Sequence, residues 1–255
     1  LRVQTYPNIE VVLVDDGCTD NTIAIARKVG LRDLSVVESP GLGLAKALEV
    51  GVTSSRGEFI FRQDADDYSY PERLERQVEF LQRYPDCVVV GTWAEVFDEE
   101  GAQSGTVKLP TQDAAIRLRL TLEVGFAHAS VAMRKSALLA CGNYQGPTGR
   151  PYPEDFELWS RIQHYGSLAN LPEVLVGFTS RVTGVTRSSW TPIGEEAGII
   201  ASRNMVDFLA LEESAVERLR PLLTRYYVPG DRLRVAECLK IWWLFLRARY
   251  RAGFW

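Results

Sequence analysis

Three aspartates stand close together just after a short apolar stretch. The stretch, Glu58 to Phe61, is typical of a buried strand, and Asp64, Asp66 and Asp67 come where that strand would end. Three carboxylates at this spacing repel one another unless a cation lies between them. Mg²⁺ and Mn²⁺ bind one or two carboxylates together with phosphate oxygens, so the spacing favours a metal–diphosphate site. A solvated turn before a helix explains the same residues, because Asp caps helices well and Pro71 suits a first helical turn.

A second acidic pair also closes a predicted strand. Ile9 to Val14 is a nearly continuous β-branched run, as in a strand buried in a parallel sheet, and Asp15 and Asp16 follow it. Because ligands of open α/β sheets bind at the carboxyl ends of the strands, we expect this pair on the same sheet edge as Asp64 and Asp66. There an Asp can accept a hydrogen bond from a nucleobase N–H or a ribose hydroxyl. An Asx-turn explains one of the two residues equally well.

Asp155 is the third candidate. It follows Glu154 at the start of a predicted helix that ends at Gly166. Acidic residues in a first helical turn commonly do no more than interact with the helix dipole, which contributes about 0.3–1 kcal/mol. A chemical role for Asp155 therefore depends on the rest of the fold.

The apolar patterning predicts the elements that carry these residues. Strands alternate with helices from Ile9 to Phe61, which predicts a right-handed, mostly parallel sheet flanked by helices. A helix with an apolar face follows Pro71, a strand follows at Cys87 to Trp93, and Phe97 to Leu109 has the turn signals of a hairpin. From Ile193 onward the patterns are helical, so we predict an α/β domain over 1–190 and a C-terminal helical extension over 191–255.

Composition and motif content exclude several classes of protein. The 255 residues carry a net charge of −4, which argues against a nucleic-acid partner. Four scattered cysteines without CxxC spacing favour a reducing compartment, hence the cytoplasm, and no signal peptide or membrane-spanning run is evident. No GxGxxG or GxxxxGK[ST] follows a strand, which argues against a dehydrogenase or a P-loop enzyme.

Five stretches, in this order, resemble the motifs of family 2 glycosyltransferases of the type that builds bacterial cell-surface polysaccharides. Gln4 to Thr22 is similar to QTYPNIEVVLVDDGSTDNT, with Cys18 in place of serine, and Gly43 to Gly51 is similar to GLAKALNxG, with Glu49 in place of asparagine. The other three are Arg62 to Asp67, which resembles RMDADD (the DxD region), Phe126 to Arg134, which resembles FxHPSVMxR, and Gly142 to Arg161, which resembles GGY…EDYDLWLR. The resemblance covers about residues 1 to 178.

The resemblance implies a GT-A (Rossmann-like) fold, a nucleotide-sugar donor (a UDP-sugar) and a Mg²⁺ or Mn²⁺ ion. Asp15 and Asp16 would contact the nucleotide base, and Asp64 the ribose or the metal region. Asp66 would bind the ion that bridges the diphosphate, and Asp155 would be the general base. The family inverts, so an acceptor hydroxyl attacks the anomeric carbon from the face opposite the leaving diphosphate.

Other residues depart from the family pattern or extend it. Phe178 to Arg181 stands where relatives have YRxH, so Arg181 replaces a histidine that would approach the diphosphate. Lys46 would face the diphosphate as well. A solvated side chain is the alternative for each. The family's first strand and helix have no counterpart here, so we expect that an N-terminal segment is missing.

The resemblance also implies the partners, a nucleotide sugar and a saccharide or lipid-linked acceptor. Residues 240–251 combine aromatics with arginines, which suits either an interfacial helix at the inner face of the membrane or a helix packed on the catalytic domain. Two further functions stay open: a catalytically degenerate sugar-nucleotide-binding protein and a nucleotidyltransferase.

Overall fold

A computed structural model describes residues 1–31, 33–39, 41–180, 190–209, 211–217, 220–221 and 223. The strands are β1 (Val11–Asp15), β2 (Leu34–Glu38), β3 (Phe59–Phe61), β4 (Tyr68–Ser69), β5 (Cys87–Phe97), β6 (Gln103–Val107), β7 (Ala132–Arg134) and β8 (Ser167–Thr179). The helices are α1 (Thr22–Lys28), α2 (Leu44–Ser54), α3 (Arg73–Arg83), α4 (Asp113–Leu120), α5 (Lys135–Ala140), α6 (Glu154–Ile162), α7 (Trp190–Leu209) and α8 (Glu213–Glu217), with a 3₁₀ turn at His128–Ser130.

The strands form two sheets. β1 and β2 pair in parallel, and the second sheet has the order β3-β7-β5-β8-β4, with β6 on the free part of β5. In the second sheet only β5 and β8 are parallel, whereas β3–β7, β5–β7, β4–β8 and the β5–β6 hairpin are antiparallel. The predicted α/β class and the hairpin are confirmed, but the prediction of a mostly parallel sheet is wrong, because four of the six strand pairs among the described residues are antiparallel.

The division into two sheets changes one expectation. In the part of the chain that the structure describes, β1 and β3 do not pair: β1 pairs with β2, and β3 ends the other sheet beside β7, with Phe59 opposite Arg134. The prediction that Asp15 and Asp16 share a sheet edge with Asp64 and Asp66 is therefore wrong.

The core of the larger sheet lies between β5 and α3. Val88, Val89 and Val90 are buried on β5, and α3 buries Leu74, Val78 and Leu81 at the helical spacing that the sequence predicted. α3 therefore packs against β5, and its Leu81 belongs to the same core cluster as Phe59 and Phe61 of β3, the strand that leads into the acidic residues.

Contacts divide the chain into two compact units. The first consists of 1–116, 126–150 and 161–181, and the second of 117–125, 151–160 and 182–255. In the second unit Asn204 accepts a hydrogen bond from the Ser160 hydroxyl (2.5 Å) and donates one to the Leu120 carbonyl (2.7 Å). The second unit therefore includes two stretches that precede the predicted boundary at residue 190.

Two expectations fall on parts of the chain that are not described. Arg181 and the aromatic, arginine-rich stretch 240–251 lie outside the described residues. Among the helices that are described, none combines the length and the apolar character needed to cross a bilayer.

Candidate functional site

The acidic turn, residues 64–67, follows β3 in the first unit. One carboxylate oxygen from each of Asp64, Asp66 and Asp67 lies within 4.8 Å of the other two. Asp66 is exposed, and the other two are half-buried. Ligand oxygens about 2.0–2.1 Å from one Mg²⁺ lie at most about 4 Å from one another, so small side-chain rotations would let the three share an ion. The structure thus brings together the three carboxylates that the sequence singled out.

Arg62 neutralises part of the negative charge of the acidic turn. Its side chain is only 8% exposed and pairs with the Asp64 carboxylate through Nη1. Its Nε is buried and has no hydrogen-bond partner among the described residues. This ion pair offsets one of the negative charges that the turn carries when its carboxylates are ionised.

Asp67 is the carboxylate most affected by its surroundings. Burial, and next the charge of Asp64, raise the pKa of Asp67 to about 7. Near neutral pH the Asp67 carboxyl group is therefore about half protonated. A divalent cation bound at the turn would take the place of that proton.

Asp15 and Asp16 have different tasks although they are neighbours. Asp15 Oδ1 accepts the N–H groups of Gly17 (3.1 Å) and Cys18 (2.8 Å), an Asx-turn, and the bond from Cys18 lowers the pKa of Asp15. The two carboxylate oxygens of Asp16 accept the N–H groups of Leu42 (3.2 Å) and Gly43 (3.1 Å). Asp16 thus ties the end of β1 to the loop before α2.

Two other predicted site residues, Lys46 and Asp155, lie on helices. Lys46 forms an ion pair with Glu49 on α2 (2.6 Å), and its side chain is 41% exposed. Asp155 stands in the first turn of α6, in the second unit, and its Oδ1 accepts the N–H of Phe156 (2.7 Å). The roles of Lys46, Asp155 and Arg181 stay predictions.

Aromatic residues continue from the acidic turn into the sheet. Tyr68 is half exposed and meets Tyr70 edge to face, with ring centroids 5.1 Å apart. The Tyr70 hydroxyl donates to the Glu95 carboxylate, which raises the pKa of Tyr70 to about 12.

On the 3₁₀ turn, His128 is hydrogen-bonded to the Tyr144 hydroxyl (2.8 Å), and burial lowers the pKa of His128 well below its usual value. His128 is therefore neutral at physiological pH.

Sequence reasoning missed the polar groups that support the acidic turn. Gln63 Nε2 donates to the backbone carbonyls of Asp64 and Asp67, and Arg73 donates to the Gln63 side chain. A signal existed in α3, where Arg73 and Gln77 stand four residues apart on the face that also buries Leu74 and Leu81. Polar residues on a buried helix face need buried partners, and here the partners lead to the turn.

Comparison with known proteins identifies the family. A sequence model described as "Glycosyl transferase family 2" matches residues 1–142, more than half of the chain. The amylovoran biosynthesis glycosyltransferase AmsE of Erwinia amylovora is 35% identical over 69% of this chain and 66% of its own length. An Escherichia coli protein named UDP-Gal:alpha-D-GlcNAc-diphosphoundecaprenol beta-1,3-galactosyltransferase is 25% identical over 66% of this chain and 61% of its own. The chain thus spans somewhat less than two thirds of the length of these relatives.

Solved structures share the fold. S. aureus TarS residues 1–349 in complex with UDP-GlcNAc matches 96% of this chain and 74% of its own, with a TM-score of 0.65 and 18% identity. The mannosyltransferase PcManGT from Pyrobaculum calidifontis in complex with GDP-Man and Mn²⁺ matches all of this chain and 81% of its own, with a TM-score of 0.56 and 17% identity. The predicted GT-A fold is confirmed, and the chain belongs to glycosyl transferase family 2.

Proposed function

We propose that the protein transfers a sugar, with inversion, from a nucleotide-diphosphate sugar to a hydroxyl of a saccharide or lipid-linked acceptor, and that Mg²⁺ or Mn²⁺ assists the transfer. The observation that carries this proposal is the acidic turn, in which three carboxylates lie together at the end of β3. Family membership favours this function over the nucleotidyltransferase alternative.

The donor would be held on the diphosphate side by the acidic turn. Asp66 is the exposed carboxylate and would bind the ion, with Asp64 and Asp67 beside it. When bound, a divalent cation stabilises the negative charge that develops on the leaving diphosphate. The ligands named for TarS (UDP-GlcNAc) and PcManGT (GDP-Man and Mn²⁺) support a nucleotide-sugar donor and a metal for this chain.

The base and diphosphate contacts extend the proposal to other residues. Asp15 and Asp16 would contact the nucleotide base. The Asp16 carboxylate holds two backbone N–H groups of the loop before α2, so donor binding and that loop would be linked. Lys46 and Arg181 would approach the diphosphate, and Lys46 would first leave its ion pair with Glu49.

Asp155 would act on the acceptor. As general base it would take the proton of the attacking hydroxyl while the new glycosidic bond forms and the bond to the diphosphate breaks. Base catalysis of this kind contributes roughly 10²–10⁴-fold to the rate. A lipid-linked acceptor is supported by the name of the E. coli relative, and residues 240–251 would then contact the membrane surface.

The test is calorimetric titration of UDP with and without Mn²⁺ into wild type, Asp66→Ala and Glu100→Ala. Glu100 is an exposed carboxylate in the β5–β6 turn and serves as the control for the loss of one negative charge. We expect Mn²⁺ to strengthen UDP binding to wild type and to Glu100→Ala by at least tenfold, and to have no effect on Asp66→Ala. Folded wild type that binds UDP, GDP and dTDP no better with Mn²⁺ would contradict the metal-assisted function.

A second measurement separates an enzyme from a degenerate binding protein. Asp155→Asn should keep the Mn²⁺-dependent binding of UDP, because the change is made on the acceptor side. It should lose most of the donor turnover that wild type shows with a suitable acceptor. Wild type without turnover of any donor that it binds would favour the binding protein.

A further inference from the structure

Arg73 is a buried charge close to the acidic turn. It begins α3 and is 1% exposed. Its hydrogen bonds to side chains go to neutral groups, namely Gln77 Oε1 (3.2 Å), Gln63 Oε1 (3.1 Å) and Ser69 Oγ (2.7 Å). Burial lowers the pKa of Arg73 to about 9, and the charge of Asp67 opposes that shift. A charge this deeply buried is costly, so the surrounding polar groups must compensate it.

The other hydrogen bonds of Arg73 reach the sheet. Nη2 donates to the carbonyl of Arg62 (2.9 Å), just after β3, and to the carbonyl of Val131 (3.3 Å), just before β7. β3 and β7 are neighbours, and Arg62 continues directly into the acidic turn. One guanidinium therefore joins the start of α3 to the point where the chain leaves the sheet.

Gln63 carries this support into the turn. Its Oε1 accepts hydrogen bonds from Arg73 and from the Ser69 hydroxyl, so its Nε2 is directed away from both. Nε2 donates to the carbonyls of Asp64 (3.0 Å) and Asp67 (2.8 Å). A single amide group thus holds the backbone of both ends of the acidic turn. Arg guanidinium N–H groups only donate, which fixes the orientation of the amide.

We propose that Arg73 and Gln63 form a support relay, a pair of positioning residues that sets the spacing of the Asp64 and Asp67 carboxylates. The inference rests on the proposed function, because metal affinity is the property that this spacing would control. Side chains that bind a metal ion must be held close to the required geometry, and hydrogen bonds from neighbouring residues supply that restraint. Without the relay the turn would still carry three aspartates, but their oxygens would no longer be held within reach of one ion.

Gln77 offers a matched control for a purely structural role. It is fully buried, and its Oε1 also accepts a hydrogen bond from Arg73. Its Nε2 donates to two backbone carbonyls, of Val90 (2.7 Å) and Ser130 (2.9 Å). Gln63 and Gln77 are therefore used in the same way, but only Gln63 contacts the acidic turn.

The experiment compares Gln63→Met with Gln77→Met in the full chain. Mn²⁺ is titrated in the presence of UDP, and the melting temperature is measured for each variant. We expect both variants to melt below wild type, and only Gln63→Met to bind Mn²⁺ at least tenfold more weakly, with Gln77→Met within threefold of wild type. Equal losses of Mn²⁺ affinity in the two variants, or no loss in Gln63→Met, would overturn the relay.

Hydrogen exchange separates the relay from the proposed function. The Asp67 amide donates to the Asp64 carbonyl (3.3 Å), so its exchange rate reports on the turn without any ligand. Wild type that does not bind Mn²⁺ contradicts the function. The relay then predicts that the Asp67 amide exchanges at least tenfold faster in Gln63→Met than in wild type, and at the wild-type rate in Gln77→Met. Equal exchange rates in the two variants would refute the relay. If Gln63→Met does not fold, Gln63→Glu keeps the acceptor for Arg73, lacks the two donors and must show the same faster exchange.

Discussion

Lowering the pH from 8 to 6 should weaken the binding of Mn²⁺ to the acidic turn about tenfold. The pKa of Asp67 is raised to about 7, and a proton on this carboxylate competes with the ion. With that pKa the carboxylate is roughly one-eleventh ionised at pH 6 and roughly ten-elevenths ionised at pH 8. The ratio of the two fractions gives the tenfold change in apparent affinity.

The same shift fixes the sign of the effect on stability. Because the pKa of Asp67 is raised in the folded state, the folded protein holds this proton more tightly than the unfolded chain does. The metal-free protein should therefore lose stability as the pH rises from about 4 to about 7, with no further loss from this group above that range. Mn²⁺ should raise the melting temperature more at pH 8 than at pH 6.

The assay is titration of Mn²⁺ alone at pH 6, 7 and 8 into wild type and Asp67→Asn, with free Mn²⁺ read by electron paramagnetic resonance. The variant lacks one of the three carboxylates, so its affinity should be lower than that of wild type. It also cannot take up the competing proton, so its affinity should change less than threefold with pH. Wild-type affinity that is equal at pH 6 and pH 8 would refute the reasoning. A tenfold change that persists in Asp67→Asn would assign the proton to another group.

Three further perturbations test the fold around the site. Leu81→Ala should lower the free energy of unfolding by about 2–5 kcal/mol in urea, because Leu81 is fully buried beside β5, and a smaller loss would mean that the core closes over the cavity. Gly91→Ala should lower the free energy of unfolding by about 1–3 kcal/mol, since a Cβ there would lie 2.1 Å from Asn170 Oδ1. Gly105→Ala, where a Cβ would have nothing within 4 Å, should melt within a few degrees of wild type. Equal losses of stability in the two variants would contradict the clash at Gly91. Asp16→Ala should weaken metal-free UDP binding and speed amide exchange in the loop before α2, and unchanged exchange would show that its two hydrogen bonds do not hold that loop.

Most elements could be predicted because their signals are local. α3 begins at Arg73, shortly after Pro71, and buries one apolar face, as the sequence predicted. Strand neighbours could not be predicted in the same way. β3 has only three residues, Phe59–Phe61, and an apolar run of that length carries no information about which strand lies beside it or in which direction. The separation of β1 from β3 is therefore a property of the whole fold.

The candidate site shows the same contrast between local and distant signals. The grouping of the carboxylates in the acidic turn could be predicted because Asp64, Asp66 and Asp67 are close in sequence. The support relay was not, because Arg73 lies ten residues from Gln63 and a charged residue in a helix is usually solvated. Its burial follows from the sheet packed against α3, which no local pattern describes.

The pairing of β5 with β8 has a consequence for how the protein is made. Cys87 on β5 pairs with Ser167, 80 residues later, and the two strands run parallel, with shifts in register, to Phe97 and Thr179. At a synthesis rate of about 5–20 residues per second, β5 waits roughly 4–16 s for this partner on the ribosome. During that time its apolar start, Cys87 to Val90, has no strand on that side. The yield of soluble protein should therefore depend on translation speed and on chaperones that cover this segment until β8 emerges.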